Sequence, residues 1–307
     1  MWKFYVKLGI FCLLFLLTDR LAGEAMSAYS RSLAPDQRLG KLLDKTVRHD
    51  LVVLGSSRGA HNLDAAEIGA KTGLSSYNFG VAGSNIDFHA QLLELLLSSG
   101  RAPRFVVLAV DGTEVKDDPS INFRFDLLYP LANDERIYEI LVERGHLNAQ
   151  LSQLFHTYRE KLGFIEVFRP YALFRKELHE TRADGSIPLL GHSWSYNAMI
   201  YNDGKNAYSK ADESPRLISR FTEFSRLCKK NGIQLVLIIS PNFTRSIEGL
   251  AARMLELAGE GVKVLDYSSR SEFLRKELFH DIAHLNNEGA LVLSKMIGED
   301  LYRMVPQ

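Results

Sequence analysis

The chain has 307 residues, 46% hydrophobic and 24% charged, with 37 Lys and Arg balanced by 37 Asp and Glu. This composition is globular and excludes wholesale disorder and collagen-like structure. A net charge of zero also excludes a dedicated nucleic-acid binder, whose phosphate contacts need a basic surplus. The two cysteines, Cys12 and Cys228, form no CxxC pair, so a disulfide framework and Cys-rich zinc sites are excluded as well.

At the N-terminus Lys3 and Lys7 precede an apolar run from Leu8 to Leu17, the pattern of a secretory signal or signal anchor. The run is shorter than the roughly 20 residues of a spanning helix. Extending it from Phe4 to Gly23 takes in Lys7, Asp19 and Arg20, which would sit at the interfaces. No Ala-x-Ala cleavage site follows, and Gly23-Glu24-Ala25 is a poor one. Residues 1–26 are therefore expected to be an uncleaved membrane anchor with the remainder outside the cytoplasm. The alternatives are a cleaved signal and a helix packed on a soluble domain. Residues 27–49 are polar and helix-compatible, an expected tether.

Beyond the tether, Leu51 to Leu54 is a short apolar run closed by Gly55, the mark of a buried parallel strand. Asp64 with Glu67 opens a helix that Gly73 ends. Ser76 to Phe79 is a second strand; Ser84 with Asp87 caps a helix ending before Gly100, and Phe105 to Val110 is a third strand. Ser214-Pro215 opens a helix with apolar residues at 217, 218, 221, 224, 227 and 228, ended by Asn231-Gly232. Ile233 to Ile239 is a fourth strand, a helix is expected over about 246–258, a fifth strand at Val262 to Tyr267, and a last helix from about 287 to 303. The alternation predicts an α/β fold, a flavodoxin-like three-layer sandwich with a parallel sheet spanning 50–307. The interval 113–213 breaks the alternation, with helical stretches near 134–162, and is expected to be an inserted, mainly helical cap over the site.

Three segments fall at carboxyl ends of strands or before the last helix, where such sheets carry their sites. Gly55-Ser56-Ser57-Arg58 puts a hydroxyl at the sheet edge beside free helix N–H groups, which suits a nucleophile whose oxyanion must meet backbone donors; a serine helix cap reads the same way. Asp281-x-x-His284 can set a carboxylate beneath an imidazole, the orienting role in a serine triad, although surface Asp and His also occur together. Gly80 to Asn85 is a glycine loop whose N–H groups can approach a ligand oxygen, or a tight turn that simply uses glycine.

In this order the three segments resemble the blocks of the SGNH (GDSL-like) hydrolase superfamily, over about residues 50–112 and 214–303. The resemblance implies Ser57 as nucleophile, His284 as base, Asp281 as its partner, and the N–H groups of Ser57 and Gly83 as the oxyanion hole, with no cofactor and no metal. Gly-Ser-Ser-Arg, the anchor and the ending Asp281-x-x-His284-Leu285-Asn286 are similar to an envelope branch that O-acylates bacterial polysaccharides and cell-wall glycans. The implied partners are an acylated glycan or acyl donor, the membrane through the N-terminal helix, and a membrane O-acyltransferase. Two departures stand out. Ser56 replaces the usual Asp, and the third strand is followed by Val110-Asp111-Gly112-Thr113-Glu114 without the family's Asn. Asp111 is expected to bind Arg58 or a sugar hydroxyl, Arg58 to pair with a carboxylate or bind substrate, and Asn85 to supply the missing donor.

The expected function is an extracytoplasmic serine esterase or O-acyltransferase acting on a glycan. Its rivals are a non-catalytic glycan-binding partner of a membrane O-acyltransferase and metal-dependent hydrolysis through His280 and His284, two imidazoles four residues apart. His192, Trp194 and Tyr196 either stack on a sugar or pack within the cap, while His61 and His89 have no evident partner in sequence.

Overall fold

The computed structural model describes residues 1–33, 36–43, 48–98, 100, 102–174, 181–201, 205–243 and 246–305. In chain order its principal elements are α1 (Trp2–Ser32), β1 (Leu51–Gly55), α2 (Ser57–Asn62), α3 (Ala65–Thr72), β2 (Ser76–Asn78), α4 (Ile86–Ser98), β3 (Phe105–Val110), α5 (Glu135–Glu143), α6 (Ala149–Leu154), α7 (His156–Phe174), α8 (Pro215–Lys230), β4 (Gln234–Ile239), α9 (Leu250–Ala258), β5 (Lys263–Asp266) and α10 (Asn287–Tyr302). Positions 34–35 and 44–47 of the expected tether, and 175–180 and 202–204 of the expected insert, lie outside the described residues.

The chain divides into two units, residues 1–41 with 124–178, and residues 42–123 with 179–307. In the second, the five strands form one parallel sheet in the order β2-β1-β3-β4-β5. The expected strands fall where the apolar runs predict them. Leu51, Val53, Phe105, Val107, Ala109, Val236 and Ile238 share one core with Ile68 of α3 and Leu293, Ile297 and Leu301 of α10. By strand alternation Val52, Leu54, Val106, Leu108, Leu235 and Leu237, also buried, face the other way. Burial on both faces is why these strands read as continuous apolar runs. Helices α2, α3 and α10 pack together, as do α4, α8 and α9.

The expected helix at 246–258 starts late. Ser246–Glu248 is instead a short strand paired in parallel with Lys205–Ala207, and Gly249, with φ of 85°, separates it from α9. The left-handed backbone that glycine allows there makes the break. Similarly, the stretch expected near 134–162 is interrupted at Gly145, with φ of 77°.

The first unit revises the reading of the N-terminus. Helix α1 runs on through the expected tether to Ser32 and packs on α7. Asp19, expected at a membrane interface, is buried: it accepts the N–H groups of His156 at 2.7 Å and Thr157 at 3.3 Å, and the Thr157 hydroxyl. It thus fills the open N–H groups of α7, where a carboxylate is favoured. Gly23, Ser27 and Ser30 let the helices approach closely; a Cβ at Gly23 would lie 2.4 Å from His156 Cβ. The earlier residues of α1, including Phe4, Phe11, Leu14 and Leu17, are exposed. Among the described residues no helix is long and apolar enough to cross a membrane. The expected insert is therefore divided: α5 to α7 belong with α1, whereas 181–201 and 205–213 belong with the sheet.

Asn78, fully buried at the end of β2, locks the sheet edge together. Its amide donates to the carbonyls of Gly59 and Leu63, each at 2.8 Å, and its Oδ1 accepts the Gly80 N–H at 2.7 Å. Replacing Asn78 with Ala removes all three bonds and leaves buried groups unsatisfied. The expected cost is about 2–4 kcal/mol, read as a lowered midpoint in urea unfolding followed by near-ultraviolet circular dichroism.

Candidate active site

The first expected residue lies just past β1. Gly55 ends the strand with φ of 133° and lies against β3: a Cβ there would meet Ala109 at 2.9 Å. Ser56 precedes α2 and Ser57 is its first residue, so the Ser57 N–H belongs to the open first turn. Gly59 fits over the Leu54 carbonyl and Gly80 over the backbone of Gly59 and Ala60, where Cβ atoms would come within 2.8 and 2.6 Å. These contacts explain the glycines.

The second and third expected residues stand on a loop between Phe279 and Leu285, which bridge to each other in antiparallel fashion. Asp281 Oδ1 accepts the N–H groups of Ala283 at 2.8 Å and His284 at 2.9 Å, a tight turn that aims the ring back at the carboxylate. His284 Nδ1 then lies 2.9 and 3.0 Å from the two Asp281 oxygens, and its Nε2 lies 2.8 Å from Ser57 Oγ. The structure therefore brings Ser57, His284 and Asp281 into one chain of hydrogen bonds. Burial works to raise the Asp281 carboxyl, but the bonds from the His284 ring and the two backbone N–H groups, with the histidine's charge, outweigh it and push it down to about 2. An ionised Asp281 fixes the proton on Nδ1, so Nε2 presents its lone pair to the serine hydroxyl.

Gly83 has φ of 72°, and among the described residues its N–H makes no hydrogen bond. Its carbonyl accepts Asn122 N–H at 2.9 Å, which pins the loop. Asn85 Oδ1 accepts the Phe88 N–H at 3.1 Å and caps α4, a bond that does not use the amide N–H groups expected to act as donors. Arg58 pairs with Asp111, Nε to Oδ2 at 3.6 Å. Asp111 Oδ1 also accepts the Thr113 N–H at 3.1 Å and hydroxyl at 2.6 Å.

Several contributors escape sequence reading. Asn62, fully buried, donates to Ser240 Oγ at 3.1 Å and accepts the Leu285 N–H at 3.0 Å, joining the serine's helix, the end of β4 and the histidine's loop. His61 lies one helical turn after Ser57, the one signal that marks it; its ring stands edge-on to His284 at 5.9 Å and its Nδ1 donates to the Ile187 carbonyl at 2.7 Å. The segment after residue 181 follows the same rim, with Ser193 N–H donating to the His280 carbonyl at 2.8 Å. There His192 and Tyr196 stack on each other at 3.8 Å, while Trp194 is 96% exposed.

Both ring nitrogens of His284 are engaged, and His280 Nδ1 donates to the Gly191 carbonyl at 3.2 Å. Among the described residues no group of three side chains is arranged to hold a metal ion. No family model, no curated protein and no solved structure matches the chain.

Glu114, buried behind Asp111, accepts the N–H groups of Asp111 and Gly112, each at 2.9 Å. Burial first, and the Asp111 charge second, push its carboxyl up to about 8 against the pull of these backbone donors. Between the ordinary value of 4.5 and about 8 the unfolded chain ionises while the folded one keeps the proton. This group therefore favours folding most below that lower value, and the contribution is lost as pH rises to the upper one. Between pH ~5 and ~8, the urea midpoint of the wild type should fall further than that of Glu114→Gln; equal falls would show that Glu114 ionises normally.

Proposed function

We propose that this protein is an SGNH-type serine esterase or O-acyltransferase that removes or adds acyl esters on a polysaccharide or cell-wall glycan outside the cytoplasm. The observation that carries the reading is the continuous chain Asp281–His284–Ser57, with spacings of 2.9 and 2.8 Å, together with the open N–H groups of Ser57, on the first turn of α2, and of Gly83, in the loop whose Val81 N–H donates to the Gly55 carbonyl at 2.9 Å. Triads are recognised by such geometry and roles rather than by chain position. The strand order β2-β1-β3-β4-β5, with two groups of helices, fits a flavodoxin-like three-layer sandwich whose sites lie at the carboxyl ends of the strands. The expected membrane attachment rests on Lys3 and Lys7 followed by the exposed apolar residues of α1.

In this reading Ser57 Oγ attacks the acyl carbon while its proton passes to His284 Nε2. The carbonyl electron pair moves onto oxygen and is met by the N–H groups of Ser57 and Gly83. Collapse expels the alcohol, which takes the proton back from Nε2, and leaves an acyl group on Ser57. A water molecule then gives hydrolysis, and a sugar hydroxyl gives transfer. Throughout, Asp281 stays ionised and steadies the imidazolium.

A fluorophosphonate probe should label the wild-type protein and fail to label Ser57→Ala and His284→Ala. Hydrolysis of p-nitrophenyl acetate should fall by about 10³-fold or more in either variant. An unlabelled, inactive wild type, or a fully labelled Ser57→Ala, would remove the basis for this function.

A further inference from the structure

Helix α1 changes character along its length. In its second half the buried positions are Asp19, Gly23, Ser27 and Ser30, all small or polar, on the side that packs against α7. In its first half residues 2–15 are exposed at every position, and they include Phe4, Leu8, Ile10, Phe11, Leu13 and Leu14. A helix lying on a water-soluble core has the opposite arrangement, with its apolar stripe inward. Small and polar residues between helices, with large apolar ones outside, is the packing of helices in lipid. A partner protein covers one face of a helix, whereas a bilayer covers every face. Among residues 1–20 the one acid is Asp19, and it is withdrawn into the open turn of α7. Lys3, Lys7 and Arg20 are left to meet anionic headgroups.

The same unit shows what stands at the edge of that apolar half. Asp19 meets α7 at His156, and Tyr29, further along α1, meets Phe164 with ring centroids 5.5 Å apart. The two helices therefore run parallel, and the N-terminal end of α7 points toward the free half of α1. Helix α6 joins α7 at that end through Phe155, whose ring stands edge-on to Phe15 at 6.1 Å. On α6, Leu151 and Leu154 are 43% and 50% exposed. The free half from Trp2 to Leu17 is about 24 Å long at the rise of an α-helix, short of the ~30 Å hydrocarbon core. A bilayer that takes up this half therefore closes on the end of the helical unit, where α6 stands.

We infer that α6 is a second lipid-contact surface: the bilayer surrounds α1 from Trp2 to Leu17, and Leu151 and Leu154 enter its near interface. This rests on the membrane attachment proposed above and adds to it a surface distant in sequence. The Asp19 cap on α7 holds the two contacts in fixed relation, because it ties α1 to the end of the helix that α6 precedes.

The test is depth-resolved quenching of the full chain in vesicles of phosphatidylethanolamine and phosphatidylglycerol, with and without doxyl-labelled phosphatidylcholine. A bimane label goes on Cys12, an exposed thiol in the free half of α1, while buried Cys228 is spared. In a Cys12→Ser background the label goes instead on Leu151→Cys, Leu154→Cys or Ser32→Cys, the last at the far end of α1. The expected result is loss of fluorescence at Cys12 and at both leucine positions, the latter strongest with the doxyl group near the headgroup, and none at Ser32→Cys. If one leucine variant does not fold, the other carries the reading. A quenched Cys12 label with both leucine positions as bright as Ser32→Cys would overturn this inference alone. Leucine positions shielded from aqueous iodide yet untouched by doxyl lipid would also overturn it, and would show that a protein covers them. A Cys12 label that doxyl lipid does not quench would instead overturn the membrane attachment itself.

Discussion

The hydrogen bond between Ser57 Oγ and His284 Nε2, 2.8 Å long, joins positions 227 residues apart in the chain, and much of the sheet unit serves to make it possible. Gly55 turns the chain off β1 so that the serine begins α2 at the sheet edge. Gly59 and Gly80 let that helix sit directly on neighbouring backbone, and Asn78 fastens the arrangement from below. From the other end of the chain, the Asp281 turn aims the imidazole, and α10 begins under the Asn286 cap, whose Oδ1 accepts the Gly289 N–H at 3.0 Å. Asn62 ties the two ends, because one side chain bonds both Ser240 at the end of β4 and Leu285 beyond the histidine. A group with no exposure that satisfies backbone and hydroxyl on separate elements fixes their spacing more firmly than apolar packing does.

Charge is distributed around that bond with a consistent sense. On the histidine side, a carboxylate pushed down to about 2 remains anionic and favours an imidazolium. Past the end of β3 the acids are muted. Glu114 is pushed up to about 8 by burial, and Asp111 is paired with Arg58. His89, forced down to about 3 by burial, adds no cation of its own. Negative charge is thereby held beside the imidazole, where the proposed mechanism develops a positive charge. Pairs of titratable groups driven apart by their surroundings are a frequent sign of acid–base chemistry.

The central strands β1, β3 and β4 were legible because they are buried on both faces, so that local composition and final environment agree. Asp281 and His284 were legible because their contact is local, three residues apart on one turn. Asn62 and Asn78 were not, since nothing in a lone buried asparagine states which distant backbone groups it will satisfy. The Asn85 cap was hidden for the same reason, since nothing in the sequence states that its Oδ1 would accept the Phe88 N–H. Asp19 reads as a polar intrusion in an apolar segment until the open N-terminus of α7 accounts for it. The strand at Ser246–Glu248 was hidden because its partner, Lys205–Ala207, lies in a segment with no strand signal of its own.

The central proposal, that Ser57 is a nucleophile activated by His284, is tested most directly by trapping its acyl intermediate. The protein is mixed with p-nitrophenyl acetate, quenched in acid and digested, and the modified peptide is sequenced by mass spectrometry. The predicted result is a single acetyl group on Ser57 in the wild type and none there in His284→Ala. An acetyl group found only on other side chains, or equal acetylation of Ser57 with and without His284, would contradict it.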